Sequence, residues 1–275
     1  MLRIILRYIG FICLLFNMLT TLEANFSVCD EINYQALPKY NLYQKHARST
    51  ETIIIQKKLL SLRECKNFAI LKKALAFNFN PTPNLSRREH DDYSFNCQVL
   101  NCPEIYSSTS LIRDQRYHYY SLYSRKLLPA KNNVNYIVTC VPKVGLFIFS
   151  KVRKNFTEAQ QTCKNMHGTL AHIVSEERTQ GLAKFINSPT FIGLNNRGKE
   201  QIWKNEFGEP LSCFRYRAWA KGEPTQSRGC TTLVKEITNK HDSRSFWKVA
   251  SCSRRLTFVC EILPLKSKTH KKHRW

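Results

Sequence analysis

Ten cysteines follow a greasy N-terminal segment in this chain of 275 residues, and they constrain its folding more than any other feature. The segment opens with Arg3 and Arg7 and no acid. It continues through an apolar run, Tyr8–Leu22, and ends at Leu22-Glu23-Ala24, where a small residue marks a cleavage point. A charged start, a short apolar middle and a small-residue end make a secretory leader over residues 1–24. The run is about 15 residues, short of the roughly 20 that cross a bilayer, and it contains Asn17 and two threonines. No later stretch is long enough to span, so an extracellular chain without a membrane span is expected. Removal of the leader takes Cys13 with it. The remaining cysteines, 29, 65, 97, 102, 140, 163, 213, 230, 252 and 260, are even in number, as five disulfides in an oxidising compartment require. No C-x2-C pair occurs, which argues against zinc. The chain is therefore expected to form compact, cross-linked units.

Charge narrows the partner. The formal net charge is +23, and losing Arg3, Arg7 and Glu23 leaves +22. Such an excess draws polyanions, and export makes them extracellular, so nucleic acid is not the expected partner. A dinucleotide fingerprint, a phosphate loop and a G-x-S-x-G elbow are all absent from the sequence. His167, His172 and His241 have no nucleophile motif beside them, and Asp91-Asp92 lies in a polar loop, so catalysis is not expected. Asn25, Asn84 and Asn155 begin N-x-[ST] sequons, the acceptor pattern of a secreted glycoprotein.

The chain divides in two. In residues 29–140 the apolar spacing predicts one helix, Leu59–Leu75, then a strand at Leu75–Phe79 stopped by Pro81-Thr-Pro83, and a strand at Tyr93–Leu100. Leu111–Tyr123 reads as a polar stretch, and Lys126–Val134 as a linker. Ser61-Leu-Arg-Glu-Cys65-Lys-Asn-Phe-Ala-Ile, Ala74-Leu-Ala-Phe77-Asn-Phe79, Phe95-Asn-Cys97-Gln-Val-Leu100 and Tyr119-Tyr120-Ser-Leu resemble a PAN/apple-type module. That resemblance implies a disulfide-rich α+β unit in which Cys65 pairs with Cys97, and Cys29 with Cys140 or Cys102. An unclassified disulfide-stapled extension is the alternative.

The second half, 145–262, opens with a strand at Gly145–Ser150. A helix capped by Thr157 follows, with Ala159, Cys163 and Met166 inward, and Gly168 ends it. After a strand at Thr169–Ile173, Ser175 starts a second helix with Leu182, Phe185 and Ile186 on its apolar face. Phe191–Leu194 reads as a strand, and Phe246–Glu261 as a closing hairpin. In order, Phe156-Thr-Glu-Ala-Gln-Gln-Thr-Cys163, Gly168-Thr-Leu170-Ala, Phe191-Ile-Gly-Leu194, Trp203 … Gly208, Trp219-Ala-Lys-Gly222-Glu223-Pro224 and Cys230 … Trp247 … Cys252 … Phe258-Val-Cys260-Glu261 resemble the C-type lectin-like domain. The resemblance implies an α+β fold, with two helices, small antiparallel sheets and a long loop region. It also implies Cys163–Cys260 and Cys230–Cys252 as core disulfides, leaving Cys213 to pair with Cys102, Cys140 or Cys29 and staple the halves together.

Calcium-dependent members of that family hold sugar through a tripeptide of the Glu-Pro-Asn kind and a later Trp-Asn-Asp. Calcium needs six to eight oxygen ligands. Here the tripeptide is Glu223-Pro224-Thr225, and the residues after Trp247 are Lys248 and Val249; Arg228 stands where a carboxylate is frequent. Two cations beside a divalent site oppose the ion, so neither calcium nor any other metal or cofactor is expected, and Glu223 reads as a loop-positioning carboxylate. Glu177 and Glu261 resemble positions that hold a structural calcium in some relatives; here they read as solvated surface acids. Residues 213–255 carry ten bases (Arg215, Arg217, Lys221, Arg228, Lys235, Lys240, Arg244, Lys248, Arg254, Arg255) against Glu223, Glu236 and Asp242, and a basic tail, 263–275, follows. The ligand-binding candidates are Arg215, Arg217, Glu223, Pro224, Thr225, Arg228, Trp247 and Lys248. The expected ligand is an extracellular glycan, sulfated or carboxylated, in matrix adhesion or pattern recognition, or else an extracellular protein.

Overall fold

A computed structural model describes residues 29, 38–81, 95–105, 111–124, 134–225, 229–239 and 242–264. The leader, Asn25, Asn84, Asp91, Asp92, the expected linker before Val134, Arg228, Lys240, His241 and the tail from 265 onward lie outside them. None of the helices among the described residues is long and apolar enough to cross a membrane.

The first unit is a five-stranded antiparallel sheet with one helix against it. Its strands are β1 (Asn41–Gln44), β3 (Ile53–Lys57), β4 (Ala76–Phe79), β5 (Cys97–Leu100) and β7 (His118–Ser121), in the order β1-β7-β4-β5-β3. A short pair, β2 (Ala47–Ser49) with β6 (Leu111–Arg113), lies beside it. Helix α1 (Leu62–Leu71) is shorter at both ends than its apolar spacing predicts. Ser61 caps it by accepting from the Glu64 amide, which leaves Leu60 outside and 95% exposed. Cys65 and Ala69 face the sheet and are fully buried. Phe77 is stacked on Tyr120 at 4.9 Å and meets Tyr40 edge-on at 5.0 Å. The stretch read as polar, Leu111–Tyr123, supplies β6 and β7, and its tyrosines bury their rings in this core.

In the second unit β8 (Tyr136–Val141), β9 (Gly145–Ser150), β11 (Thr190–Asn195), β13 (Cys230–Asn239), β14 (Asp242–Ala250) and β15 (Thr257–Ile262) form the path β14-β13-β11-β15-β9-β8. β10 (Gly168–Leu170) adds to β15 and β12 (Lys204–Asn205) to β11. The expected closing hairpin is corrected: β14 pairs with β13, while β15 runs between β9 and β11 in the sheet centre, parallel to β11. Helix α2 (Phe156–Asn165) begins two residues earlier than expected. Asn155 is its cap, in a reciprocal box with Glu158, so Thr157 lies inside the first turn and instead accepts a hydrogen bond from Arg197. Its C-terminal reversal is made by His167 at φ 58°, not by Gly168. Gly168 starts β10, where a Cβ would stand 2.4 Å from the Glu261 carbonyl oxygen. Helix α3 (Glu176–Ala183) is capped by Ser175 and buries Leu182; Ile186 is buried beyond its end and Phe185 is 45% exposed.

The two units share one apolar cluster, in which Phe77, Leu122 and Tyr123 join Val138, Leu146 and Ile148. At the junction the Leu146 amide donates to the Tyr123 hydroxyl at 3.2 Å. Five disulfides are formed: Cys65–Cys97, Cys102–Cys140, Cys163–Cys260, Cys230–Cys252 and Cys29–Cys213. Cys29 does not close on Cys140 or Cys102. Those two stand with Cα atoms 5.9 Å apart and bond each other, so Cys29 reaches 184 residues along the chain to Cys213.

Candidate functional site

The long loop between β12 and β13 is built on tryptophans. Trp219 lies 5.0 Å from Trp203 and 5.4 Å from Trp247, ring centre to ring centre, and Tyr216 meets Trp247 at 5.6 Å. The Trp247 amide donates to Ala218 O and the Ala220 amide to Trp247 O, which sews the loop to β14. This corrects one ligand-binding candidate: Trp247 is 1% exposed and belongs to the core. Its alternation on β14 points it inward opposite Leu233, while Lys248 beside it is exposed, its amine 5.3 Å from the Phe246 ring centre.

Arg217 serves the loop as well. Its guanidinium donates to the carbonyls of Leu211 (2.6 Å), Tyr216 (2.8 Å) and Phe214, and so closes the turn that carries Cys213. Arg215 and Lys221 are exposed on the same loop. Glu223 and Pro224 are joined by a cis peptide bond. Glu223 Oε2 accepts from the Thr225 amide at 2.9 Å and from its hydroxyl at 3.2 Å, so the carboxylate holds its own turn. The donor set does not fit calcium: one occupied carboxylate, a hydroxyl, an ammonium and valine replace the oxygens such an ion needs. Among the described residues no group of three or more His, Cys, Asp or Glu could hold a metal ion.

A second polar centre lies under α3. Glu261, read from sequence as a solvated surface acid, is buried, and its two oxygens accept from Arg178 at 2.8 Å each. It also accepts from the His172 amide at 3.1 Å, and Arg178 donates to the His172 carbonyl. The guanidinium thus supplies the positive charge facing that carboxylate, and Glu177 is turned out to solvent. The His172 ring lies edge-on to Phe207 and Phe214 and receives a hydrogen bond on Nε2 from Asn205 Nδ2 at 2.9 Å. Burial holds its pKa below the ordinary imidazole value, against the pull of Glu261. Arg178, Asn205 and Glu209 escaped sequence reasoning, because each meets its partner only through the tertiary fold or a tight turn.

Against this geometry, residues 152–262 match the family model of the lectin C-type domain. Collectin-10 of Gallus gallus is 33% identical over 117 residues, 41% of this chain and 40% of that protein. Proteoglycan 3 of Mus musculus is 30% identical, over 42% of this chain and 51% of its own length. C-type lectin lectoxin-Lio1 of Erythrolamprus poecilogyrus is 31% identical over 124 residues, 42% of this chain and 71% of the relative. Among solved structures, a mouse scavenger receptor C-type lectin carbohydrate-recognition domain aligns with 50% of this chain and 98% of its own, at 21% identity and a TM-score of 0.38. The chain belongs to the C-type lectin domain family, whose members recognise carbohydrates or proteins. It spans about half the length, or less, of the collectin and proteoglycan relatives.

Proposed function

We propose that this chain is a secreted recognition protein that binds acidic extracellular glycans without calcium. The observation that carries this reading is the exchange of oxygen ligands for cations around the family's sugar loop. Lys248 is exposed on β14, the Glu223 carboxylate is already engaged by Thr225, and Arg215, Lys221 and Arg244 add exposed positive charge on the loop and hairpin. Guanidinium and ammonium groups recognise sulfate and carboxylate directly and need no bridging ion. Matrix adhesion and pattern recognition are the two settings such binding serves, and neither calls for catalysis. A protein ligand is the second reading. It is favoured by Ile237, 73% exposed on β13.

A glycan array probed in calcium and again in chelator, with elution from immobilised heparin by salt, tests the proposal. Sulfated or carboxylated glycans are expected to bind equally in both buffers and to be released by raised salt. Silence on both arrays with capture of an extracellular protein favours the second reading.

A further inference from the structure

One concave surface of the lectin domain shares no residue with Glu223, Pro224 and Thr225. It is a groove of about 340 Å³ between α2 and the segment that follows β11, lined by Gln160, Asn195, Arg197, Ile202, Lys204 and Glu206, among others. That volume is at the small end of ligand sites. Its polar groups are held in place before any ligand arrives. Arg197 lies 4.7 Å over the Phe156 ring and donates to Gln160 Oε1 at 2.6 Å, Thr157 Oγ1 at 2.9 Å and Asn195 Oδ1 at 3.3 Å. Gln160 Nε2 in turn donates to Glu206 Oε1 at 2.8 Å. Burial pushes the Glu206 carboxyl above the usual range, with Gln160 and Arg197 opposing.

The network leaves capacity unspent. Among the described residues Glu206 Oε2 accepts no hydrogen bond and Asn195 Nδ2 donates none, and Gln160 Nε2 and Arg197 each keep N–H groups beyond those used. Acceptors and donors therefore stand side by side on fixed planar groups, which suits the paired hydroxyls of a sugar. Ile202, 45% exposed, adds an apolar wall for C–H bonds. Among the residues that line the groove the charges balance: Arg197 and Lys204 stand with Glu206 and Glu200, Lys204 is paired with Glu200 at 2.6 Å, and Lys164 acts on Glu206 from beyond the lining. In a chain of +23 this is a locally neutral site.

We propose that this groove binds a neutral, hydroxyl-rich ligand of monosaccharide size, without calcium. The site goes beyond the acidic-glycan reading and does not depend on it. The test is a titration of the full mature protein, in chelator, with glucose, galactose, mannose and N-acetylglucosamine, followed through the side-chain amide resonances of Gln160 and Asn195. At least one sugar is expected to shift both amides at millimolar concentration, unchanged by added salt. Glu206→Gln and, separately, Asn195→Ser are expected to weaken that binding about tenfold, the loss of a hydrogen bond to a polar ligand. Heparin binding should be unaltered in both variants, and their melting curves report folding independently. The proposal is overturned if no neutral sugar moves the wild-type amides, if the shifts vanish in chelator, or if both folded variants bind as wild type. Loss of heparin binding alone would strike the acidic-glycan reading and leave this one standing.

Discussion

Arg178 and Glu261 are worth most to the fold as a pair, and least when separated. Both are withdrawn from water, and each is the other's charge partner. Removing one partner of a buried pair strands the other at about 3–5 kcal/mol. Arg178→Ala is expected to lose stability of that order in urea denaturation, and Glu261→Gln added to it to recover part of the loss. Millimolar calcium is expected not to restore the single variant, and a calcium-dependent rise in its melting temperature would show that a cation can take the guanidinium's place. His172, between them, sets a pH dependence. Its folded pKa lies below the unfolded value, so the unfolded chain takes up the proton first. Stability is then full above about 6.5 and falls as pH drops below it, until the folded pKa is also passed. Glu261 and Glu209 pull the ring toward protonation, and Arg178 and burial hold it neutral. His172→Gln should flatten the stability profile below about pH 6.5; a profile still sloping as in wild type would assign the effect to another group.

Helix α2 tells which of two adjacent signals governs an element. Thr157 and Asn155 are both capping types, and the reciprocal bonds with Glu158 select Asn155. Asn155→Ala should cost about 1 kcal/mol in a host that does not glycosylate, and Thr157→Ala less, read from chemical denaturation. Equal costs would mean that the cap bonds contribute nothing beyond the Arg197 contact. Elements of the lectin half were legible because caps, glycines and cysteines punctuate them at family spacing. The first sheet was much less so. β4 and β5 fall inside the strands read at Leu75–Phe79 and Tyr93–Leu100, whereas β1, β2, β6 and β7 are only three or four residues long, too short for a period to show. Glu261 was misread for a related reason: its partner lies 83 residues away, and no local pattern announces it. Trp247 was misassigned because a motif names a position without saying which way the strand turns its ring.

For the whole molecule, covalent topology and charge make separate predictions. Cys163–Cys260 closes 97 residues, a constraint of about 4–5 kcal/mol on the unfolded chain in the entropy model. Non-reducing peptide mapping should recover all five bridges, and a Cys213 peptide linked to anything but Cys29 would contradict the arrangement. The proposed binding to sulfated glycans requires several exposed bases acting together, since charges farther apart than roughly 8 Å are screened at physiological ionic strength. Deleting residues 265–275 should weaken every polyanion alike. Lys248→Gln should instead change their ranking, because Lys248 stands on a shaped strand; a ranking untouched by that change would move the binding surface elsewhere.

The Cys29–Cys213 bridge also decides how the protein bears mechanical load. Tension applied between the N-terminal side of residue 29 and the C-terminus passes through the sulfur bond to Cys213, and the entire first sheet hangs in a closed covalent loop that feels no pull. Cys230–Cys252 takes a second stretch out of the line of force, and Cys163–Cys260 moors the last strand to α2. Only the segments from Cys213 to Cys230 and from Cys252 to Cys260 can pay out before the final strand is reached, roughly 25 residues or about 90 Å of chain. A ligand-bearing domain anchored to a matrix by its ends would stretch that far and stop, and a reductant would turn the tether into a long, compliant spring.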